Sequence, residues 1–128
     1  MQAADLSRLR ARLPACELAA YVDIGAGTVL ASDGALTYPQ EYLDVLRDCA
    51  ALVFSVPNDD GIFDHAMVQT PTGSRVFIRD PNAPDLVICC ICAPWLVLSD
   101  LLSETRQILA ELDAAALQGS QTVEAARG

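Results

Sequence analysis

The residues best equipped for chemistry are five cysteines, Cys16, Cys49, Cys89, Cys90 and Cys92, and a single histidine, His65, with Asp64 beside it. A thiol, an imidazole and an orienting carboxylate form a nucleophilic triad when hydrogen bonds of ~3 Å connect them. The strand order read below opposes that reading. If the strand Ser74 to Asp80 lies between the other two, His65 and the cysteines of 89–92 stand two strand spacings apart, ~9.5 Å. Thiols on an apolar, buried strand are also held in their neutral, inert form.

Metal and phosphate chemistry fare no better. Zinc asks for about four sulfur or nitrogen ligands, usually in separated pairs, and Cys89-Cys90-Ile91-Cys92 has neither that spacing nor a second pair. Asp59, Asp60 and Asp64 lack the alternating ligands and terminal glutamate of a calcium loop. Gly25-Ala26-Gly27 misses the third glycine of a dinucleotide fingerprint and the lysine of a P-loop. Asp23 and Asp33 sit beside glycines at strand ends, where carboxylates stabilise turns. No catalytic residue, metal or cofactor is expected.

Composition narrows the class further. With 128 residues, 52% of them apolar and 20% charged, the chain is expected to fold as one domain over 1–117, followed by a flexible tail at 118–128. Seventeen acidic residues face eight arginines and no lysine, a net charge of -9 that repels phosphate backbones, so no nucleic acid is expected as a partner. Arg8, Arg10 and Arg12 are read as a solvated helix face. The apolar run from Leu86 to Leu98, broken at Pro94, falls short of the ~20 residues of a membrane-spanning helix. The N-terminus lacks a basic start and an apolar stretch, and the cysteines lack disulfide-scaffold spacing, so a cytoplasmic location with reduced, buried thiols is expected. Cys90 and Cys92 share a strand face, but at ~6.6 Å between Cα atoms they are near the limit for a bridge.

The elements that must position these groups follow from periodicity. Leu6, Leu9 and Leu13 behind Asp5 predict a helix ended by Pro14. Alternation over Glu17 to Ile24, and the run Thr28 to Ser32 after Gly25-Ala26-Gly27, predict a hairpin. Thr37-Tyr38-Pro39-Gln40 fits a capping box for a helix from Tyr38 to Ser55. Ile62 to Thr70 and Ser74 to Asp80 predict a second hairpin, placing the former at a sheet edge. Leu86 to Cys92, apolar throughout, predicts a central strand. Pro94 is expected to open a helix to about Leu117, with Trp95 as a buried anchor or, alternatively, an exposed partner-binding aromatic. The order is αββαβββα: an α+β domain with a five-stranded antiparallel sheet and helices on both faces.

This order, with the strand pair Leu18-Ala-Ala-Tyr-Val-Asp-Ile-Gly and Thr28-Val-Leu-Ala-Ser-Asp-Gly, resembles the roadblock family of dynein light-chain-related proteins over residues 4 to 117. The resemblance implies a roadblock/longin/profilin-like fold without catalytic residues. It also implies a dimer that joins middle helices and third strands into a ten-stranded sheet, bringing Ala66 and Val68 of the third strand to the interface. Family members regulate or scaffold small Ras-like GTPases, and bacterial ones commonly accompany such a GTPase.

Helical geometry argues separately for an interface. At ~100° per residue, the apolar side chains of the middle helix span roughly 200°, twice what one core face requires. Leu43, Leu46, Ala50 and Phe54 are assigned to the chain's own sheet, and Tyr42, Val45, Cys49, Leu52 and Val56 to a partner, the alternative being deeper burial beneath loops. The apolar arc of the last helix spans only ~140° and is satisfied within the domain. The function expected is a non-catalytic interaction module, a homodimer serving a small GTPase or signalling complex. A small-ligand sensor with the thiol-rich strand lining a pocket, or a cysteine enzyme, are the alternatives.

Overall fold

A computed structural model describes residues 1–55 and 64–127, with side chains as far as Leu117. The elements are α1 (Ala3–Arg12), β1 (Cys16–Asp23), β2 (Thr28–Gly34), α2 (Gln40–Ser55), β3 (His65–Thr70), β4 (Gly73–Asp80), β5 (Ala83–Cys92) and α3 (Leu98–Arg127). The order αββαβββα is the one expected. All neighbouring strands are antiparallel in the order β2-β1-β5-β4-β3, with β5 central and β3 at an edge.

Successive side chains of a strand point to opposite faces, so the sheet has two cores. On one face Leu6 and Leu9 of α1 and Leu101 and Ile108 of α3 pack over Ala19, Tyr21, Val76, Ile78, Ile88 and Cys90. On the other, Leu43, Leu46 and Ala50 of α2 pack over Leu18, Ala20, Val22, Phe77, Val87 and Cys89. Burying a Leu, Val or Phe side chain contributes about 2 kcal/mol, so these two layers supply most of the driving force.

Local chemistry moves several boundaries. Gln2 N–H donates to Asp5 Oδ2 at 2.8 Å, which places Asp5 inside the first turn of α1 rather than ahead of the helix. The Pro39 carbonyl accepts from Tyr42 N–H at 3.0 Å and Leu43 N–H at 3.4 Å, so α2 starts at Gln40, not Tyr38. Pro94 lies in a turn closed by Leu96 N–H donating to Ala93 C=O at 3.2 Å, and Val97 C=O takes the first bonds of α3 from Asp100 and Leu101. The last helix therefore begins at Leu98 rather than Pro94, and its backbone continues to Arg127, past the expected end near Leu117. The flexible tail expected at 118–128 falls beyond the described side chains. Strand β5 begins at Ala83, with Asp80 opposite it, so Pro84 belongs to the strand and not to the turn.

The three arginines of α1 each meet a carboxylate. Arg10 pairs with Asp33 at 2.6 Å, Arg12 with Glu104 at 3.2 Å and Arg8 with Glu111 at 3.4 Å. Exposed pairs of this kind contribute ~0–1 kcal/mol each, so they orient α1 over β2 and α3 more than they stabilise it.

At the β3–β4 turn, Gly73 sits against the end of β5: a Cβ there would overlap the Cys92 carbonyl oxygen, a backbone atom that cannot swing aside. Gly27, with φ of 69°, has open space around it and is needed only for its backbone angle. Urea denaturation should find Gly73→Ala less stable than wild type by about 2 kcal/mol or more, and Gly27→Ala by only about 1 kcal/mol. A Gly73→Ala chain as stable as wild type would contradict the close approach of β4 and β5.

Candidate protein-interaction surface

Helix α2 lies against β2, β1 and β5, with Leu43, Leu46 and Ala50 turned inward. Tyr42, Cys49, Val53 and Phe54 border that core and are partly buried. Val45 and Leu52 point away from it, 55% and 68% exposed. Positions 42, 45, 49 and 52 recur at three- and four-residue intervals and form one stripe along α2. Phe54, assigned to the sheet side, packs against the α2-side core, and so do Tyr42 and Cys49, assigned to a partner. Val56, along with Asp59 and Asp60, lies outside the described residues.

The third strand extends the same surface. Ala66 stands opposite Phe77 and Val68 opposite Arg75, and directly opposed residues share a face, so both belong to the α2 side. Val68 is 44% exposed. Between this strand and α2 lie two long arginine side chains of β4. Arg79 places its guanidinium 4.3 Å from the centre of the Phe54 ring and donates from Nη2 to the Phe54 carbonyl at 3.3 Å, while Arg75 Nη1 lies 3.9 Å from Cys49 Sγ. The apolar stems of these side chains cover part of the sheet that α2 does not reach.

The two sheet edges differ. Edge β2 carries a register shift against β1 at Tyr21/Val22 and is packed by α1. Edge β3 pairs with β4 without a shift from His65 to Thr70 and presents Met67 and Val68 to solvent. Bulges and covering elements are how edges are kept from pairing with another chain, so among the described residues β3 is the open edge.

The thiols, expected as one inert group on β5, are divided by the sheet. Cys89 lies on the α2 side, its pKa raised by burial. Cys16, Cys90 and Cys92 lie together on the α1–α3 side. Alternation in the sequence starts this strand at Glu17 and so leaves Cys16 out of the group; β1 begins at Cys16, and a register shift between Cys16 and Leu18 turns its side chain to the face opposite the one simple alternation assigns. Among the described residues no group of three or more His, Cys, Asp or Glu side chains is placed to hold a metal ion.

Asp64 and His65 do form a dyad, Oδ1 to Nδ1 at 2.7 Å, and Arg106 approaches the carboxylate at 3.2 Å. Their contacts, His65 foremost, hold the Asp64 carboxyl below its usual range. Strand β4 separates this dyad from β5: His65 opposes Ile78, which opposes Ile88. No thiol of β5 is within reach of the imidazole, and the triad is not assembled. Trp95 is 63% exposed, which overturns its expected role as a buried anchor: the Pro94 turn carries it outside the core. Cavities at the Gly73 end of the sheet hold about 180 and 240 Å³, below the ≈ 300–1,000 Å³ of ordinary ligand pockets.

No family model matches the chain, and no curated protein matches it. Solved structures do. A Roadblock/LC7 domain from Streptomyces avermitilis superposes with a TM-score of 0.74 at 13% identity, covering 90% of this chain and 97% of its own. Myxococcus xanthus MglB gives 0.71 at 14% identity, covering 91% and 94%. A structure of MglB with a tetrameric arrangement gives 0.68 at 16% identity, covering 90% and 87%. With the element order, the strand order and nearly the whole length in common, this chain has the Roadblock/LC7 fold.

Proposed function

We propose that the chain is a non-catalytic protein-interaction module that forms a homodimer through α2 and β3 and, as a dimer, binds or regulates a small Ras-like GTPase. The observation that carries this reading is the open α2–β3 surface: Val45, Leu52 and Val68 lie uncovered beside a regular, unguarded strand edge. Antiparallel pairing of two β3 strands across a two-fold axis would complete both edges in a ten-stranded sheet and bring the α2 stripes together. Tyr42, Val45, Cys49 and Leu52 of α2 and Ala66 and Val68 of β3 would line that contact; Val56, expected with them, lies outside the described residues. Removing Val45 and Leu52 from water contributes roughly 2 kcal/mol for each side chain, twice per dimer. The tetrameric arrangement of MglB is a precedent for assembly on this fold.

A GTPase as the further partner rests on the roadblock resemblance. The charge of -9 fits a protein partner better than a nucleic acid. Among the described residues no helix is long and apolar enough to cross a membrane.

Light scattering with circular dichroism tests the dimer. Wild type should be dimeric, and Val45→Glu or Leu52→Glu should give folded monomers. Both positions are exposed in the single chain, so the substitutions should change its own stability by no more than about 0.5 kcal/mol. In an isologous contact each buries a charge near its symmetry mate, at a cost of several kcal/mol. A monomeric wild type, or variants that unfold, would refute the interface. A pull-down with purified Ras-like GTPases from the same genome, loaded with GDP or GTP, tests the second step. Retention of one by wild type supports it, and retention of none contradicts it.

A further inference from the structure

Strands β1 and β5 place Cys16 directly opposite Cys92. The next pair outward is joined by Ala93 N–H donating to Ala15 C=O at 2.8 Å. Hydrogen-bonded and non-hydrogen-bonded pairs alternate along an antiparallel ladder, so Cys16 and Cys92 form a non-hydrogen-bonded pair, whose Cα atoms stand ≈ 4.5 Å apart with side chains close. That separation lies inside the 4.4–6.8 Å range of a disulfide. Both residues are free thiols here, each 2% exposed.

The third thiol polarises the pair. Cys90, two residues back, lies on the same face, Cys16 Sγ donates to the Leu18 carbonyl at 3.5 Å, and Arg10 Nε donates to the Cys16 carbonyl at 3.3 Å; the neighbouring Cys90 and Cys92 thiols and the Arg10 charge draw the Cys16 pKa below its ordinary value against the opposing effect of burial. Cys90 and Cys92, beside the Cys16 sulfur and buried, are shifted upward. Cys16, with Arg10 beside it, is the thiol whose anion is favoured, and Cys92 stands opposite it in the ladder. Cys92 also lines the cavity of about 180 Å³, together with Glu17, Thr70 and Ser74. Ser74 is paired with Cys92 across β4 and β5, and its buried hydroxyl has no hydrogen-bond partner. A small polar oxidant, similar in size to water at ≈ 30 Å³, fits such a space.

We propose that Cys16 and Cys92 are a redox-sensitive pair, which a hydroperoxide converts to a disulfide tying β1 to β5 beside the turn that leads into α3. The Cys16 thiolate attacks one peroxide oxygen and the O–O bond breaks, leaving a sulfenic acid on Cys16 and releasing hydroxide, or an alkoxide from an alkyl hydroperoxide, which takes up a proton to become water or an alcohol. The Cys92 sulfur then attacks Cys16 Sγ, the S–O bond breaks, and water leaves with the Cys92 proton. Two electrons pass from the sulfurs to the peroxide. The bond closes a ring from residue 16 to residue 92 through the two central strands and fixes the base of the turn that presents Trp95. Cys89, on the other face of the sheet, takes no part.

The test treats the full, folded chain with hydrogen peroxide, then alkylates, digests with trypsin without reduction and maps the products by mass spectrometry. The expected product joins peptides 13–47 and 80–106 within one chain, two hydrogens lighter than their sum, with fragment ions placing the link at Cys16 and Cys92. Cys90→Ser should keep the link; Cys16→Ser and Cys92→Ser should lose it. The oxidised chain should melt at least ~5 °C higher, as closing a long loop restricts the unfolded state, and dithiothreitol should reverse the shift. A link to Cys90, a link between chains, oxidation to sulfinic acid without a link, or linkage only in denaturant would each overturn the proposal. Fragment mapping on wild type decides between Cys90 and Cys92 even if a variant fails to fold.

Discussion

Four consecutive residues of β5, Val87 to Cys90, are buried, two on each face of the sheet. A strand covered this way obliges the whole sheet to carry a layer on both sides. Five strands at ~4.8 Å spacing make a surface about 19 Å wide between outer strand axes, whereas one helix with its side chains is ≈ 10–12 Å across. Helices α1 and α3 together suffice for one face. Among the described residues helix α2 alone does not suffice for the other, and its placement over β2, β1 and β5 leaves the β4–β3 side short of cover.

Most of what is unusual on that face follows from the shortage. Arg75 and Arg79 reach across to Cys49 and Phe54, laying long side chains where an apolar layer would otherwise be needed. Such a bridge covers the sheet only partly, since Val68 of β3 remains in contact with water, with Val45 and Leu52 of α2 exposed as well. The other face carries two helices, and the arginines of α1 are committed there to carboxylates of β2 and α3. The Asp64–His65 dyad and the thiols of β5 are kept apart for a related reason: the sheet places β4 between them, with the dyad at the edge and these thiols at the centre.

The sequence was most legible where one kind of pattern ran without interruption. The apolar run of β5 announced a central strand, and the wide apolar arc of α2 announced a surplus that its own sheet would not use; Leu43, Leu46 and Ala50 against Val45 and Leu52 divided as helical geometry requires. Less legible were features set by one or two backbone bonds. Proline at 39 and at 94 was compatible with a helix start, but the carbonyls that accept the first helical bonds belong to Pro39 and Val97, which composition does not reveal. The thiol cluster was hidden by the register shift at Cys16/Leu18, because a one-residue slip reverses which face a side chain takes. Trp95 was misplaced for the same reason as α3: the turn before the helix is longer than the Pro94 signal suggested.

The central claim is that the open face is completed by a second copy paired along β3. Amide hydrogen exchange, followed residue by residue at high and at low protein concentration, addresses it most directly. The account predicts that those amides of β3 pointing away from β4 exchange slowly when the chain is concentrated and quickly when it is dilute, while the free amides of β2 behave alike at both. Outward amides of β3 that exchange as fast as those of an unpaired strand at every concentration would contradict it.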